Sequence, residues 1–533
     1  KPLADLAQLV VYATAHQSDA NAVQFRQRLV HGMTAILTSK EATPAAKAFV
    51  CRQIAVIGAE QQAAALASLL ADRELAEPAI SALAQIPGPA VGQILRDCLG
   101  ALKGNPQISA IHALGQRGDC AAAGPLMAIL AGSDEASACA AAIALGNIAS
   151  DEGAEALQKT LASAKGHLRT SVARACVTCA DQLLAAKKLE QAAALYARLS
   201  GRDEPEQVRM AAFRGTVLAN PQKAASVVCE ALTSHDPALE NMAIQLVPQL
   251  PGTTVSEQVA SCMGKVSPAL QALLVTALAA RRDAAAREAV AAAAASPDPS
   301  VRLAAIKALA VCGDRSTVTM LVGRIAAGAP SAEAEAARGS LARLRGPGVN
   351  EVLAGMLSEQ HARAKGDLIR ILAARNACDT CAALKKATED QDAAVRKEAW
   401  KALGALAQGP EVGSLVDLLV RAPESQREDA ARAVATVLKR QARPDVRAVV
   451  ARIDSAPTPG SRAALVRIAS MIGDDAALAA LRKAVRSEDE EVRDAAVRGL
   501  AAWPSPGPFE DLVALARDAK APVHRVLALR GAL

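Results

Sequence analysis

Breaks in helical pattern return along this sequence at a nearly constant spacing. Gly58, Gly88, Gly118 and Gly146 each follow an apolar helical stretch, 30, 30 and 28 residues apart. Later breaks fall at Asn220, Gly252, Arg282, Gly313, Gly346, Ala377, Gly409, Ala442, Gly473 and Gly507, 30 to 34 residues apart. A second marker keeps the same period. Val-Arg opens a helix at Val208-Arg209, Val301-Arg302, Val395-Arg396 and Val492-Arg493, at intervals of 93, 94 and 97 residues, each close to three periods. A fixed period over this length points to one architecture, in which each unit buries its apolar faces only by stacking on its neighbours.

Each unit reads helix, short turn, helix. In "DPSVRLAAIKALAVCGDRSTVTMLVGRIAAG" the residues Val301, Ala304, Ala305, Ala308 and Leu309 form one apolar stripe at helical spacing. Gly313 is expected to end this helix in left-handed backbone, and Asp314 to cap the next. Val318, Leu321, Val322 and Ile325 form the second stripe. Composition fits many thin layers rather than one thick core: 51% of residues are hydrophobic but only 2% aromatic, and Ala supplies much of the total. Ala is the strongest helix former and lets helices approach closely. The expected fold is all-α, an α-solenoid of stacked antiparallel helix pairs.

The order acidic residue, Val-Arg, Ala-x-x-Ala-Leu, Gly-Asp and Ala/Val-x-x-Leu resembles bacterial HEAT repeats. "DPSVRLAAIKALAVCGD" and "DQDAAVRKEAWKALGALA" carry it best. The short units also resemble the HEAT-like repeats of phycobilin lyases, and the whole chain resembles exported bacterial HEAT-repeat proteins of unassigned function. The resemblance implies a HEAT/armadillo-like superhelix and a binding or scaffold role. One interval breaks the count, because 74 residues separate Gly146 from Asn220. Ala192, Tyr196, Leu199 and Pro205 there resemble the later positions of a tetratricopeptide (TPR) unit, with Cys176 and Cys179 at its two early core positions. The expected organisation is HEAT-like repeats over 1–165, an irregular TPR-like helix pair over 166–215, and HEAT-like repeats over 216–533 with an incomplete last repeat. "APVHRVLALRGAL" reads as one helix of a pair.

Two CxxC pairs raise the question of chemistry. Cys176 and Cys179 share a helix face with Val172 and Leu183, so they read as small buried hydrophobes before they read as half a zinc site. Cys378 is expected at the helix N-cap slot that Asp119, Asp314 and Asp474 fill elsewhere. A thiol there feels the positive end of the helix, which favours thiolate. Cys381 falls in the slot of Ala122, Thr317 and Ala477 and is expected to pack inward. Cys378 and Cys381 are therefore the better redox or metal candidates. The two pairs lie about six repeats apart, roughly 50 Å at 8–10 Å per helix layer, too far to share one ion. Neither pair precedes a His, so covalent haem attachment is not indicated. Cys51, Cys98, Cys139 and Cys262 recur at fixed distances from turns and read as core fillers.

Other chemistries lack their residues. The seven His (His16, His31, His112, His167, His235, His361, His524) are dispersed and none precedes Glu. The paired His-Glu motifs of di-iron HEAT-repeat hydroxylases are absent, as are HExxH, GxSxG and the P-loop. Arg209, Arg302, Arg396 and Arg493 form a candidate basic ladder, but in HEAT-like arrays this Arg pairs with an acidic residue of an adjacent repeat. Asp298, Asp392 and Glu490 are the nearby acids. The most basic stretch has Lys439, Arg440, Arg443, Arg447 and Arg452 against Asp445. HEAT-like DNA glycosylases add aromatic residues to such a groove. This chain has two Trp, Trp400 and Trp503, and Trp400 lies in an apolar register.

Net charge is +6 over 533 residues, too dilute for a nucleic-acid footprint. No run of about 18 apolar residues occurs. The sequence starts at Lys1 rather than Met, as a processed or shortened chain would, and together with the resemblance to exported proteins this leans toward a periplasmic or secreted setting. No catalytic residue, metal ligand or cofactor is assigned. The first expectation is a non-enzymatic scaffold binding a protein, a peptide, another domain of a longer chain or a second copy. The alternatives are a bilin-lyase-like or thiol enzyme at Cys378/Cys381, and a polyanion or nucleic-acid binder.

Overall fold

A computed structural model describes residues 2–15, 20–252, 254–328, 331–441 and 445–533. His16, Ala442 and Arg443 lie outside the described residues. Those described form 33 α-helices joined by turns and short 3₁₀ segments, with no strand among them. The protein is an all-α solenoid. It divides into two compact units, 1–262 and 263–533.

One repeat shows why the sequence folds this way. Asp298 accepts from the amides of Ser300 (2.8 Å) and Val301 (3.2 Å), satisfying the open end of helix Pro299–Cys312. Such a cap contributes about 1 kcal/mol. Val301, Ala305, Ile306, Ala308 and Leu309 are buried. Asp314 then accepts from Ser316 N at 2.9 Å and starts the turn into helix Val318–Ala326. That helix buries Val318, Leu321, Val322 and Ile325, each contributing about 1.5–3 kcal/mol by burial. Asp134, Asp236, Asp283, Asp392 and Asp474 cap other helices in the same way.

Gly313 departs from expectation. Its φ is −69°, extended rather than left-handed. Glycine is needed there for room, because a Cβ would lie 2.5 Å from Leu309 O and 2.7 Å from Leu344 Cδ1. Gly146 is not a break either. It sits inside helix Glu135–Ile148, and the chain turns at Ala149. A Cβ on Gly146 would come 2.6 Å from the Ala175 carbonyl of the next stacked helix. Gly115 meets Ala144, Gly404 meets Ala433, Gly499 meets Ser470 and Gly531 meets Ala501 in the same manner. The first helices of successive pairs therefore touch backbone to backbone. They form one tight layer in each unit, and the second helices form the other.

The long interval holds the 20-residue helix Gly166–Ala185, which packs on Leu189–Arg198. Cys176, Cys179 and Tyr196 are fully buried. The Tyr196 ring lies where a Cβ on Gly215 would be, and its hydroxyl donates to Asp181 at 2.5 Å. Helix Pro522–Ala532 packs on Phe509–Asp518 and Glu490–Ala501.

One cysteine reading is overturned. Cys262 is not a free core filler but forms a disulfide with Cys229, 33 residues away, with Cα atoms 6.1 Å apart. Second helices Ala224–Leu232 and Thr254–Ser261 lie side by side. Stacking thus brings residues one period apart into register, a signal that the spacing of the two cysteines already carried.

Candidate functional site

The CxxC pairs come first. Burial pushes the Cys176 thiol up to about 12 and the Cys179 thiol up to about 11. Both stay protonated at neutral pH and are poor nucleophiles. Cys378 is not the cap: Ala377 holds that position, and Cys378 begins the 3₁₀ turn Cys378–Thr380. The turn is one residue out of register with the sequence reading, so Cys378 matches Cys120 rather than Asp119. Cys378 is exposed, and Gln408 Nε2 donates to its sulfur at 3.5 Å. Cys381 is buried, which raises its pKa. No group of three or more His, Cys, Asp or Glu side chains with metal-binding geometry occurs among the described residues.

The Val-Arg residues serve the stack in two ways. Arg209 pairs with Asp236 at 2.8 Å, and Arg302 pairs with Glu333 at 2.9 Å, each reaching the next repeat. Arg396 and Arg493 instead donate to backbone carbonyls just before their own helices. Asp298 and Asp392 are helix caps, not their partners. Trp400 is buried, with Nε1 donating to Gln426 at 3.1 Å. In the basic stretch Arg447 is held by Asp445 (2.7 Å) and Arg452 by Asp417 (2.6 Å). Arg440 donates to the carbonyls of Ala405 and Ala407.

A different set of cations does come together. In the second unit the tight layer consists of helices Pro268–Arg281, Pro299–Cys312, Ser331–Arg343, Ala362–Ala374, Ala393–Leu406, Glu424–Lys439, Pro459–Ile472, Glu490–Ala501 and Pro522–Ala532. The ninth residue of these helices is, in order, Thr276, Lys307, Gly339, Arg370, Lys401, Arg432, Arg467, Arg498 and Arg530. Every one of these cations is exposed. Gly404, three past Lys401, packs on Ala433, one past Arg432. Gly499, one past Arg498, packs on Ser470, and Gly531, one past Arg530, packs on Ala501. The close contacts thus hold the cations in a row on one face.

The row has two kinds of member. Arg370 is paired with Asp367 (2.8 Å), Arg432 with Glu428 (2.7 Å) and Arg498 with Asp494 (2.7 Å). Lys307, Lys401, Arg467 and Arg530 have no ion-pair partner among the described residues. One turn past each of the cations from Lys307 to Arg498 stand Val311, Ala374, Ala405, Thr436, Met471 and Ala502, all exposed and none charged; one turn past Gly339 stands the exposed Arg343.

Two grooves open between helices of this layer. One, of about 650 Å³, is lined by Arg427, Glu428, Arg432, Lys439, Arg467 and Met471, among others. The other, of about 420 Å³, is lined by Arg338, Arg363 and Arg370 over the buried carboxylate of Asp367. In the first unit, the tight-layer helices from Pro44–Ile57 to Pro237–Leu246 carry Arg52, Ala84, Ala113, Ile143, Arg174, Arg214 and Gln245 as ninth residues. The row of the second unit escaped the sequence reading, which followed the Val-Arg marker. Its signal was a Lys or Arg six residues after that marker at Lys307, Lys401 and Arg498.

A sequence model for HEAT repeats matches residues 446–531. No curated protein matches the chain. Among solved structures, Kap95p in a study of its binding to RanGDP is 12% identical with a TM-score of 0.39, covering 99% of this chain and 81% of that one. A Kap121p mutant is 10% identical with a TM-score of 0.37, covering 95% and 70%. Human deoxyhypusine hydroxylase in complex with glycerol is 17% identical with a TM-score of 0.22, covering 52% and 96%.

Proposed function

We propose that this protein is a non-enzymatic interaction scaffold that presents the exposed face of its tight helix layer to a protein or peptide. The observation that carries this reading is the row of cations in the second unit, flanked by uncharged positions and by two open grooves. A solenoid builds such a surface by repetition, one side chain per unit. No helix among the described residues is long and apolar enough to cross a membrane. The Cys229–Cys262 disulfide supports an oxidising, exported setting. Affinity purification of the intact chain tests the reading. A specific partner lost on charge reversal of Lys401 and Arg467 is the expected result, and the absence of any specific partner counts against it.

The thiol alternative rests on Cys378 alone, since Cys381 is buried. It requires Cys378 to react with iodoacetamide faster than the exposed Cys120. Equal rates remove it.

A further inference from the structure

We infer that the cation row from Lys307 to Arg530 is a docking surface for an extended acidic protein segment. This rests on the scaffold reading above and names the partner's chemistry. Neighbouring helices in a packed layer lie about 8–10 Å apart, and an extended chain advances about 3.3 Å per residue. In the extended polyproline II form, with three residues per turn and about 3.1 Å rise, every third side chain lies on one face about 9 Å apart, so an acidic residue at every third position meets one cation of the row after another. The residues between face the second row, uncharged except at Arg343, where Val311 and Met471 are about half exposed and offer apolar contact. Lys307, Lys401, Arg467 and Arg530 hold unshared charges for this purpose. Arg427 in the larger groove adds a buried Nε without a hydrogen-bond partner.

The same face disfavours a nucleic acid. Glu428 and Asp494 stand within the row, and Glu424 and Glu491 line the larger groove. A continuous phosphate chain would meet these carboxylates at close range. Base stacking needs aromatic platforms, and the row and its flanking positions have none. A protein segment can place neutral residues opposite each carboxylate.

The test uses the whole chain and a labelled peptide of about 20 residues with Glu at every third position and Val or Ser between, read by fluorescence anisotropy. Lys401→Glu with Arg467→Glu should weaken binding by about tenfold or more, because like charges then face each other. Both residues are exposed, so circular dichroism should show an unchanged fold. Gly339→Lys fills the gap in the row, where a Cβ meets nothing closer than 4.0 Å. It should tighten binding by about two- to threefold, consistent with one exposed charge pair. Equal binding to wild type and the double variant would overturn the inference. So would equal affinity for a peptide with the same Glu residues in one block. A single-stranded oligonucleotide that outcompetes the peptide would make the row a nucleic-acid site instead. A purified protein partner that the double variant still retains would sink this inference while leaving the scaffold reading intact.

Discussion

The two units stack their first helices in nearly the same backbone register and fill it differently. In the first, the ninth residues include Arg52, Ile143 and Gln245; in the second, six helices in succession place Arg or Lys there. Ile143 is 40% exposed in that position, so the fold tolerates an apolar side chain as readily as a charged one. What packing demands lies beside it: a small residue such as Gly146 or Gly404, whose Cβ would strike the neighbouring helix. The stack therefore dictates the flanking positions and leaves the ninth free wherever it faces solvent, as at Ile143 and Lys401; Ala113, ninth in a helix one residue out of register, is buried. A near-unbroken cation row at a free position is a property of the surface, and that sets the second unit apart.

The strongest way to break the comparison is to attack the demanded position. Gly146→Val should cost about 3 kcal/mol or more by overpacking against Ala175. Hydrogen exchange should show loss of protection in the first unit. If protection is unchanged, the close contact is not what fixes the register. Removing the disulfide with Cys262→Ser should cost about 3–4 kcal/mol, as expected for a closed loop of this length. That loss should also be confined to the first unit, and a reducing agent should reproduce it in the wild type alone.

Acid should act on both units through the helix caps. The hydrogen bond from Arg209 lowers the Asp236 pKa, and that from Ser300 lowers the pKa of Asp298. A carboxylate with a depressed folded-state pKa adds stability above its unfolded value of about 3.9, and loses it as pH falls through the folded value. Thermal melts should therefore be flat above about pH 5 and fall below about pH 4. Asp236→Asn should reduce that fall. The smallest effect should come from the free position. Ile143→Arg and Lys401→Ile should each shift stability by less than about 0.5 kcal/mol. A larger shift in chemical denaturation would mean that packing does dictate this residue.

Much of the fold was legible because turns and caps obey local chemistry. Asp298, Asp314 and Asp392 cap helices wherever the period places them. Glycines misled because they serve two physical ends. Gly473 has φ +77° and ends a helix, whereas Gly146 makes room inside one. The cysteines misled for a related reason. Position relative to the nearest turn says whether Cys262 points inward, but only the stack says that Cys229 lies beside it. The cation row was hidden because its members stand about 31 residues apart, and local charge density, which pointed to Arg447 and Arg452, does not register such spacing.

The alternation of paired and unpaired cations has an electrostatic consequence. From Lys401 through Arg467 to Arg530 the naked charges sit two helices apart, roughly 16–20 Å by ordinary helix spacing. That is about two Debye lengths at physiological ionic strength. Successive bare charges scarcely repel one another, while the cations between them are screened by Glu428 and Asp494. The surface can thus hold its positive potential in reserve without straining the stack that displays it. An approaching acidic segment that spans several helices would sense the sum of the row where no single helix does.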